Sequence, residues 1–177
     1  MKIGIFCSAN SQINPAFITA TEELGHWIGK AGHSLVFGGC DLGLMECIAQ
    51  AVKAEGGMTI GVIPTIVEER GGVSQYVDVE IPCDNLSDRK DLILAQSDVL
   101  VALPGGVGTL DEVFTVMASR TIGYHRKPVF LYDMEHFYAP LINLLDAMQS
   151  QGMIRGHWQD HLKVVSSLAD LQRELAE

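Results

Sequence analysis

The feature that most constrains this chain is its sustained alternation of short apolar runs with helix-length amphipathic segments. Lys2–Phe6, Ser34–Phe37 and residues 58–63, 98–103, 128–132 and 162–165 have strand length. A strand covered on both faces is a continuous apolar run, and a helix returning the chain between two such strands makes them parallel. The intervening segments supply those helices. Asn14 is placed to cap a helix with Pro15 at its first position, and Phe17, Leu24, Trp27, Ile28 and Ala31 recur at helical spacing until Gly32. A second helix runs through Leu44, Ile48, Ala51 and Val52 to Gly56-Gly57. Further helices are expected over Leu86–Gln96, 109–122, 137–148 (with Leu141, Leu144, Leu145 and Met148 on one stripe) and from Ser167 onward. Residues 76–81 alternate Val77, Val79 and Ile81 with Asp78 and Glu80, the pattern of a half-exposed strand.

Right-handed crossovers wind such units into an open sheet with helices on both sides. The expected fold is a single α/β domain over residues 1–177. It is Rossmann-like and doubly wound, with a mainly parallel sheet of about seven strands. Ligands of such sheets bind beyond the carboxyl ends of the strands. Three segments fall there: residues 7–10, 38–43 and 104–109.

Composition narrows the partners. Twelve basic residues against 22 acidic ones give a net charge of −10, which repels polyanions, so a small molecule is expected rather than nucleic acid. The longest apolar runs are too short to cross a bilayer, and no membrane partner is expected. The N-terminus reads directly as a first strand, and a cytoplasmic location follows. Cys7, Cys40, Cys47 and Cys83 show no paired spacing and no nearby histidine arrangement, so no metal site is expected. They read as small buried apolar side chains, although Cys7 and Cys40 each follow a strand at the ligand edge. The Cys40 thiol is expected to be partly accessible there and shielded by a bound nucleotide, with Cys47 inert on its helix.

The strongest local signal is Pro104-Gly105-Gly106-Val107-Gly108-Thr109-Leu110-Asp111-Glu112. Glycines let the backbone approach an anion, and the following helix presents unsatisfied N–H groups and its positive end. Thr109 adds a hydroxyl. The segment lacks the Gly-Lys-Ser/Thr ending of a P-loop and the GxGxxG dinucleotide spacing. A carboxylate in the first turn is favoured by the helix dipole, which accounts for one of Asp111 and Glu112. A second carboxylate beside a phosphate cradle calls for work on the neighbouring sugar. Arg89 and Lys90 sit near the start of another helix, where cations oppose the dipole unless paired or used on an anion.

Gly38-Gly39, Gly43-Leu44-Met45, Arg89-Lys90 and the 104–112 segment, in this order and spacing, resemble the LOG family of cytokinin riboside 5′-monophosphate phosphoribohydrolases, often mislabelled as lysine decarboxylases. The likeness covers nearly the whole chain, including residues 123–128, similar to the family's Gly-x-His-x-Lys-Pro. It implies hydrolysis of nucleoside 5′-monophosphates, AMP commonly, by a homodimer or higher homo-oligomer, with Met117, Arg120 and Tyr124 on the interface helix. It places the catalytic pair at Arg89 and Glu112. Phosphate and substrate contacts fall to Ser8, Gly39, Lys90, Gly105, Gly106, Gly108 and Thr109. Cys40 stands where the family has a third glycine, and Leu86-Ser87 where it has Met-His, which bears on the choice of base.

Cleaving a C1′–N bond develops oxocarbenium character, which a preorganised carboxylate stabilises while activating water. That role falls to Glu112, with Arg89 orienting it, and the chemistry requires no cofactor. Lysine decarboxylation needs pyridoxal phosphate on a lysine in a setting that no lysine here supplies. The alternative is a non-catalytic carrier of a nucleotide or nucleotide-bearing cofactor on the same fold.

Overall fold

In the computed structural model, which describes residues 1–176, the chain forms one seven-stranded sheet. The strands are β1 (Lys2–Phe6), β2 (Ser34–Phe37), β3 (Met58–Pro64), β4 (Val79–Cys83), β5 (Val99–Ala102), β6 (Val129–Tyr132) and β7 (Lys163–Val165). The helices are α1 (Pro15–Lys30), α2 (Gly43–Ala54), α3 (Thr65–Glu69), α4 (Leu86–Gln96), α5 (Val107–Thr121), α6 (Ala139–Ser150) and α7 (Leu168–Ala176). The strand order is β4-β3-β2-β1-β5-β6-β7, and every neighbouring pair is parallel. The chain therefore winds outward from β1 to one edge, returns to β5 on the other side of β1, and winds outward again. The switch lies between β1 and β5, where the loops leaving two adjacent strands diverge and open a crevice.

Strand alternation distributes the core to both faces. Ile3, Ile5, Leu35 and Phe37 pack with Leu24 and Ile28 of α1 and Ile48 and Val52 of α2. Phe6, Val36, Val62 and Leu100 pack on the other face with Ile93 of α4, Val113 and Val116 of α5 and Leu145 of α6. Asn14 caps α1 as expected, its Oδ1 accepting from the Ala16 N–H at 3.0 Å.

Three elements start two or more residues away from the sequence reading. The edge strand begins at Val79, not Tyr76, because Asp78 is engaged beside it. The Asp78 carboxylate accepts from the Thr59 N–H at 2.9 Å and from Lys53 Nζ at 2.8 Å. Helix α5 starts at Val107, two residues before the expected Thr109, with Gly106 at its cap. Helix α6 starts at Ala139 because residues 134–136 form a 3-10 turn in which Glu135 and His136 take φ of 52° and 57°. The buried Asp133 carboxylate accepts the Tyr138 N–H at 2.7 Å and fixes that turn. Leu144, expected on the buried stripe of α6, is exposed. The short helix α3 had no clear periodic signal.

Gly43 opens α2 at φ 52°, and a Cβ there would lie 2.5 Å from the Ala9 carbonyl carbon and 2.7 Å from the Ser8 oxygen, both backbone atoms. Left-handed strain and a backbone collision thus coincide where α2 meets the end of β1. Gly43→Ala is expected to destabilise the fold by about 2 kcal/mol or more. Chemical denaturation checks this, and a midpoint equal to that of the wild type would show that the two loops separate without cost.

Candidate active site

The carboxyl ends of β1, β2 and β5 enclose a cleft of about 310 Å³ into which Arg89 and Glu112 both project. Its floor is a set of backbone hydrogen bonds. The Ser8 N–H donates to the Pro104 carbonyl at 3.1 Å, and the Ser8 carbonyl accepts from Leu44 at 3.0 Å, so the end of β1 is tied to the glycine loop and to α2. The Ser8 hydroxyl oxygen accepts from the Asn10 N–H at 3.0 Å. From the opposite side the buried Tyr138 hydroxyl donates to the Leu103 carbonyl at 2.6 Å. The loop is therefore held on both flanks before any ligand arrives.

Helix α5 begins without a side-chain cap. The N–H groups of its first residues have no intrahelical partner and face the cleft, where Gly106, Val107, Gly108 and Thr109 line one wall. Gly105 lies behind them. A Cβ on Gly105 would strike the buried Thr109 side chain, so glycine there lets the loop fold down onto Thr109. Glu112 follows one turn along the same helix.

Arg89 reaches the cleft from α4. Asn85 caps that helix, its Oδ1 accepting from the Ser87 and Asp88 N–H groups at 2.9 and 3.0 Å. The Arg89 Nε donates to the Val62 carbonyl at 3.1 Å, and its Nη2 donates to the Gly38 carbonyl. A Cβ on Gly38 would occupy the place of this guanidinium. The cation is thus fixed by backbone oxygens at the ends of β2 and β3.

Burial pushes Glu112 up from an ordinary 4.5 to about 7; Arg89 acts against this, Asp111 adds to it, and Lys90 lowers it. Burial likewise pushes the Cys7 thiol, on the same cleft wall, well above its usual range, with the Glu112 charge adding to the effect.

Several expected contacts take other roles. Gly39 does not line the cleft; it turns at φ 72° and packs against Ile63 and Gly61 of β3, leaving Gly38 to face the cavity. Lys90 points away, its Nζ lying 3.0 and 2.9 Å from the two Asp111 carboxylate oxygens. Cys40 is only 6% exposed, with Sγ 3.6 Å from both the Gly38 carbonyl and Arg89 Nη2, and it forms a bridge with Val73. The expectation of an accessible Cys40 thiol is therefore corrected: the close-packed turn seals it, and Cys7 is the cysteine at the cleft. Cys47 is pushed up to about 11 by burial, consistent with an inert thiol. Leu86 and Ser87 lie on the exposed start of α4, outside the cleft lining. Asn10 and Met45 complete the lining. Asn10 ends one of the segments the topology singled out and Met45 belongs to the Gly43-Leu44-Met45 motif, which were the available signals. Tyr138 and Asp133 had none, since their contacts depend on a positive-φ turn that spacing does not reveal.

Residues 45–175 match the model of a family described as possible lysine decarboxylase. The cytokinin riboside 5′-monophosphate phosphoribohydrolase LOG7 of Arabidopsis thaliana is 31% identical over 99% of this chain and 81% of its own length. The cytokinin riboside 5′-monophosphate phosphoribohydrolase of Mycobacterium tuberculosis is 32% identical over 98% of this chain and 92% of its own. Among solved structures, a molybdenum cofactor carrier protein from Chlamydomonas reinhardtii is 26% identical with a TM-score of 0.72, covering 99% of this chain and 94% of its own.

The raised value of Glu112 has a consequence for folding. Its carboxyl ionises less readily in the native chain than in the unfolded one. The native state is therefore fully favoured below about 4.5 and loses that advantage as the pH rises through about 7. Glu112→Gln removes the ionisation and is expected to stabilise the protein at pH 8 relative to pH 4.5 by up to about 3 kcal/mol. Denaturation at the two pH values measures it; a mutant effect independent of pH would mean that Glu112 is not held in this environment.

Proposed function

As the chain belongs to the LOG family, to which the name possible lysine decarboxylase is attached as a misnomer, we propose that it hydrolyses the N-glycosidic bond of a nucleoside 5′-monophosphate, of the AMP or cytokinin riboside type, to free base and ribose 5-phosphate. One observation carries the reading: a carboxylate poised near pH 7 stands one turn beyond an uncapped, glycine-lined helix N-terminus and shares its cleft with a fixed guanidinium. The phosphate binds the N–H groups at the start of α5 and the Thr109 hydroxyl. Its binding energy orients the ribose over Glu112. As the C1′–N bond breaks, its electron pair leaves with the base and positive charge grows on the ribose. The Glu112 carboxylate stabilises that charge and accepts a proton from the water that adds to C1′; the departing base takes up a proton. Arg89 holds the sugar and keeps Glu112 partly ionised despite its burial.

The carrier reading predicts tight nucleotide binding without base release. A carrier has no use for a carboxylate in the anion site, where it repels the ligand, and this favours the hydrolase. The protein acts in the cytoplasm, in keeping with four free cysteines among the described residues. It works as a homodimer or higher homo-oligomer. An apolar groove of about 640 Å³ between α5 and α6, lined by Phe114, Met117, Met148 and Met153, is continuous with Ile122, 67% exposed, and offers a surface for a second copy.

Incubation with AMP is expected to release adenine, with adenosine at least tenfold poorer in kcat/KM because it lacks the charge-assisted anchor. Equal specificity constants would remove the phosphate cradle from the mechanism, and tight AMP binding with no adenine released would favour the carrier. Since the ionised form of Glu112 works, kcat/KM should climb with pH and level off above about 7. Glu112→Gln is expected to lose roughly a hundredfold in turnover and this pH limb together. Turnover near that of the wild type would reassign the role, with Asp111 next in line.

A further inference from the structure

Each of the two charged cleft residues, Arg89 on α4 and Glu112 on α5, has a neighbour in sequence that faces the other helix. Lys90 follows Arg89, and Asp111 precedes Glu112. Lys90 Nζ reaches both oxygens of the Asp111 carboxylate, at 3.0 and 2.9 Å. The Lys90 side chain is 14% exposed and that of Asp111 49%, so the cation is the more enclosed partner. The pair lies outside the cleft lining. It does not touch the space a substrate would fill.

We infer that Lys90 and Asp111 are positioning residues: a two-point ion pair that locks α4 against α5 and so fixes how Arg89 and Glu112 face one another and how much charge Glu112 carries. A lysine near the N-terminal end of α4 opposes that helix's dipole, and its partner across the gap offsets this. An aspartate in the first turns of α5 is favoured by that helix's dipole, yet it stands next to Glu112 and disfavours a second negative charge there. With Lys90 in place the neighbouring charge is compensated. The groups facing Glu112 are Arg89 and Lys90 from α4, Asp111 from its own helix, the Cys7 thiol from the end of β1 and the Tyr138 hydroxyl from behind the glycine loop. Of these, Arg89 and Cys7 line the cleft and Tyr138 supports its loop through the Leu103 carbonyl, whereas the ion pair does neither.

The functional part of this inference rests on the hydrolase reading, and its structural part does not. The test uses the full-length protein in four forms: wild type, Lys90→Met, Asp111→Asn and the exchange Lys90→Glu with Asp111→Lys. Glu112 is titrated by NMR without substrate, and kcat and KM for AMP are measured across pH. Lys90→Met leaves Asp111 uncompensated and is expected to move the Glu112 midpoint upward. Asp111→Asn is expected to move it downward. The exchange should return it toward the wild-type value. In turnover, Lys90→Met should lower kcat at pH 7 several-fold while KM for AMP stays within about twofold, because the phosphate loop is untouched. Midpoints unchanged in both single variants, or shifts that the exchange does not reverse, would overturn the proposal. So would a Lys90→Met variant whose KM rises while kcat holds, which would return Lys90 to phosphate binding. If no form releases adenine, the hydrolase reading fails, and the NMR midpoints alone decide whether the pair governs Glu112.

Discussion

The arrangement depends on the bonds Arg89 makes to backbone. A guanidinium donating to carbonyl oxygens at the ends of two neighbouring strands, Gly38 of β2 and Val62 of β3, cannot swing with its helix. It pins α4 across the sheet edge and leaves a cation beside the cleft in one orientation. Everything nearby is shaped around it. Gly38 lacks a Cβ because the guanidinium fills that place, and Cys40 is sealed beneath it. Glu112 keeps part of its charge in a buried setting because the cation lies opposite. Lysine at this position would supply the charge but not the fork that satisfies two carbonyls at once.

The second constraint is how closely the backbones meet at the switch point. Ser8 donates to Pro104, Leu44 donates to Ser8, and Gly43 leaves no room for a side chain against Ala9. Three chain segments distant in sequence thus share one small volume. Glycine in such a place is a steric requirement, and the flexibility it brings to the unfolded chain is a cost of the design. The Tyr138 hydroxyl completes the support from the β6 side, so the glycine loop is preorganised and need not be ordered by a ligand.

Most of the fold was legible because its signals are local and redundant. Continuous apolar runs, an Asn-Pro cap and helix-ending glycines each specify an element without reference to the rest, and together they specify a parallel sheet. The site was legible to the extent that it is contiguous in sequence. The 104–112 segment carries its own chemistry, and Arg89 stood out as a cation at an unfavourable helix position. What could not be read are contacts that exist only after folding. Whether Gly38 or Gly39 faces the cavity is decided by which one packs on Gly61. Whether Lys90 serves substrate or Asp111 is decided by the spacing of α4 and α5. The turn that delivers Tyr138 uses two non-glycine residues at positive φ, a conformation their side chains do not announce. The displaced start of β4 follows from Asp78 satisfying Thr59, again a tertiary bond overriding a local alternation.

Glu112 shows why the cleft takes this form. A carboxylate beside an uncapped helix N-terminus meets opposed influences: burial and the neighbouring Asp111 favour its neutral form, whereas Arg89 and Lys90 favour its charge. In the proposed reaction a bound phosphate would add another negative charge and push the same way as burial. In the proposed reaction, without Arg89 the substrate phosphate would favour the neutral form of the carboxyl that has to stabilise the positive charge growing on the sugar. With Glu112 fully solvated, the carboxylate would stay ionised but would act through a medium that screens it. A value near neutrality is the compromise. In the proposed reaction the group is basic enough to take a proton from water and enclosed enough for its charge to be felt at C1′, and it shares its cleft with a cation that is itself fixed to the sheet. That balance is set by burial and by charges carried on α4 and α5 alone, so it is settled by how these two helices pack at the switch point.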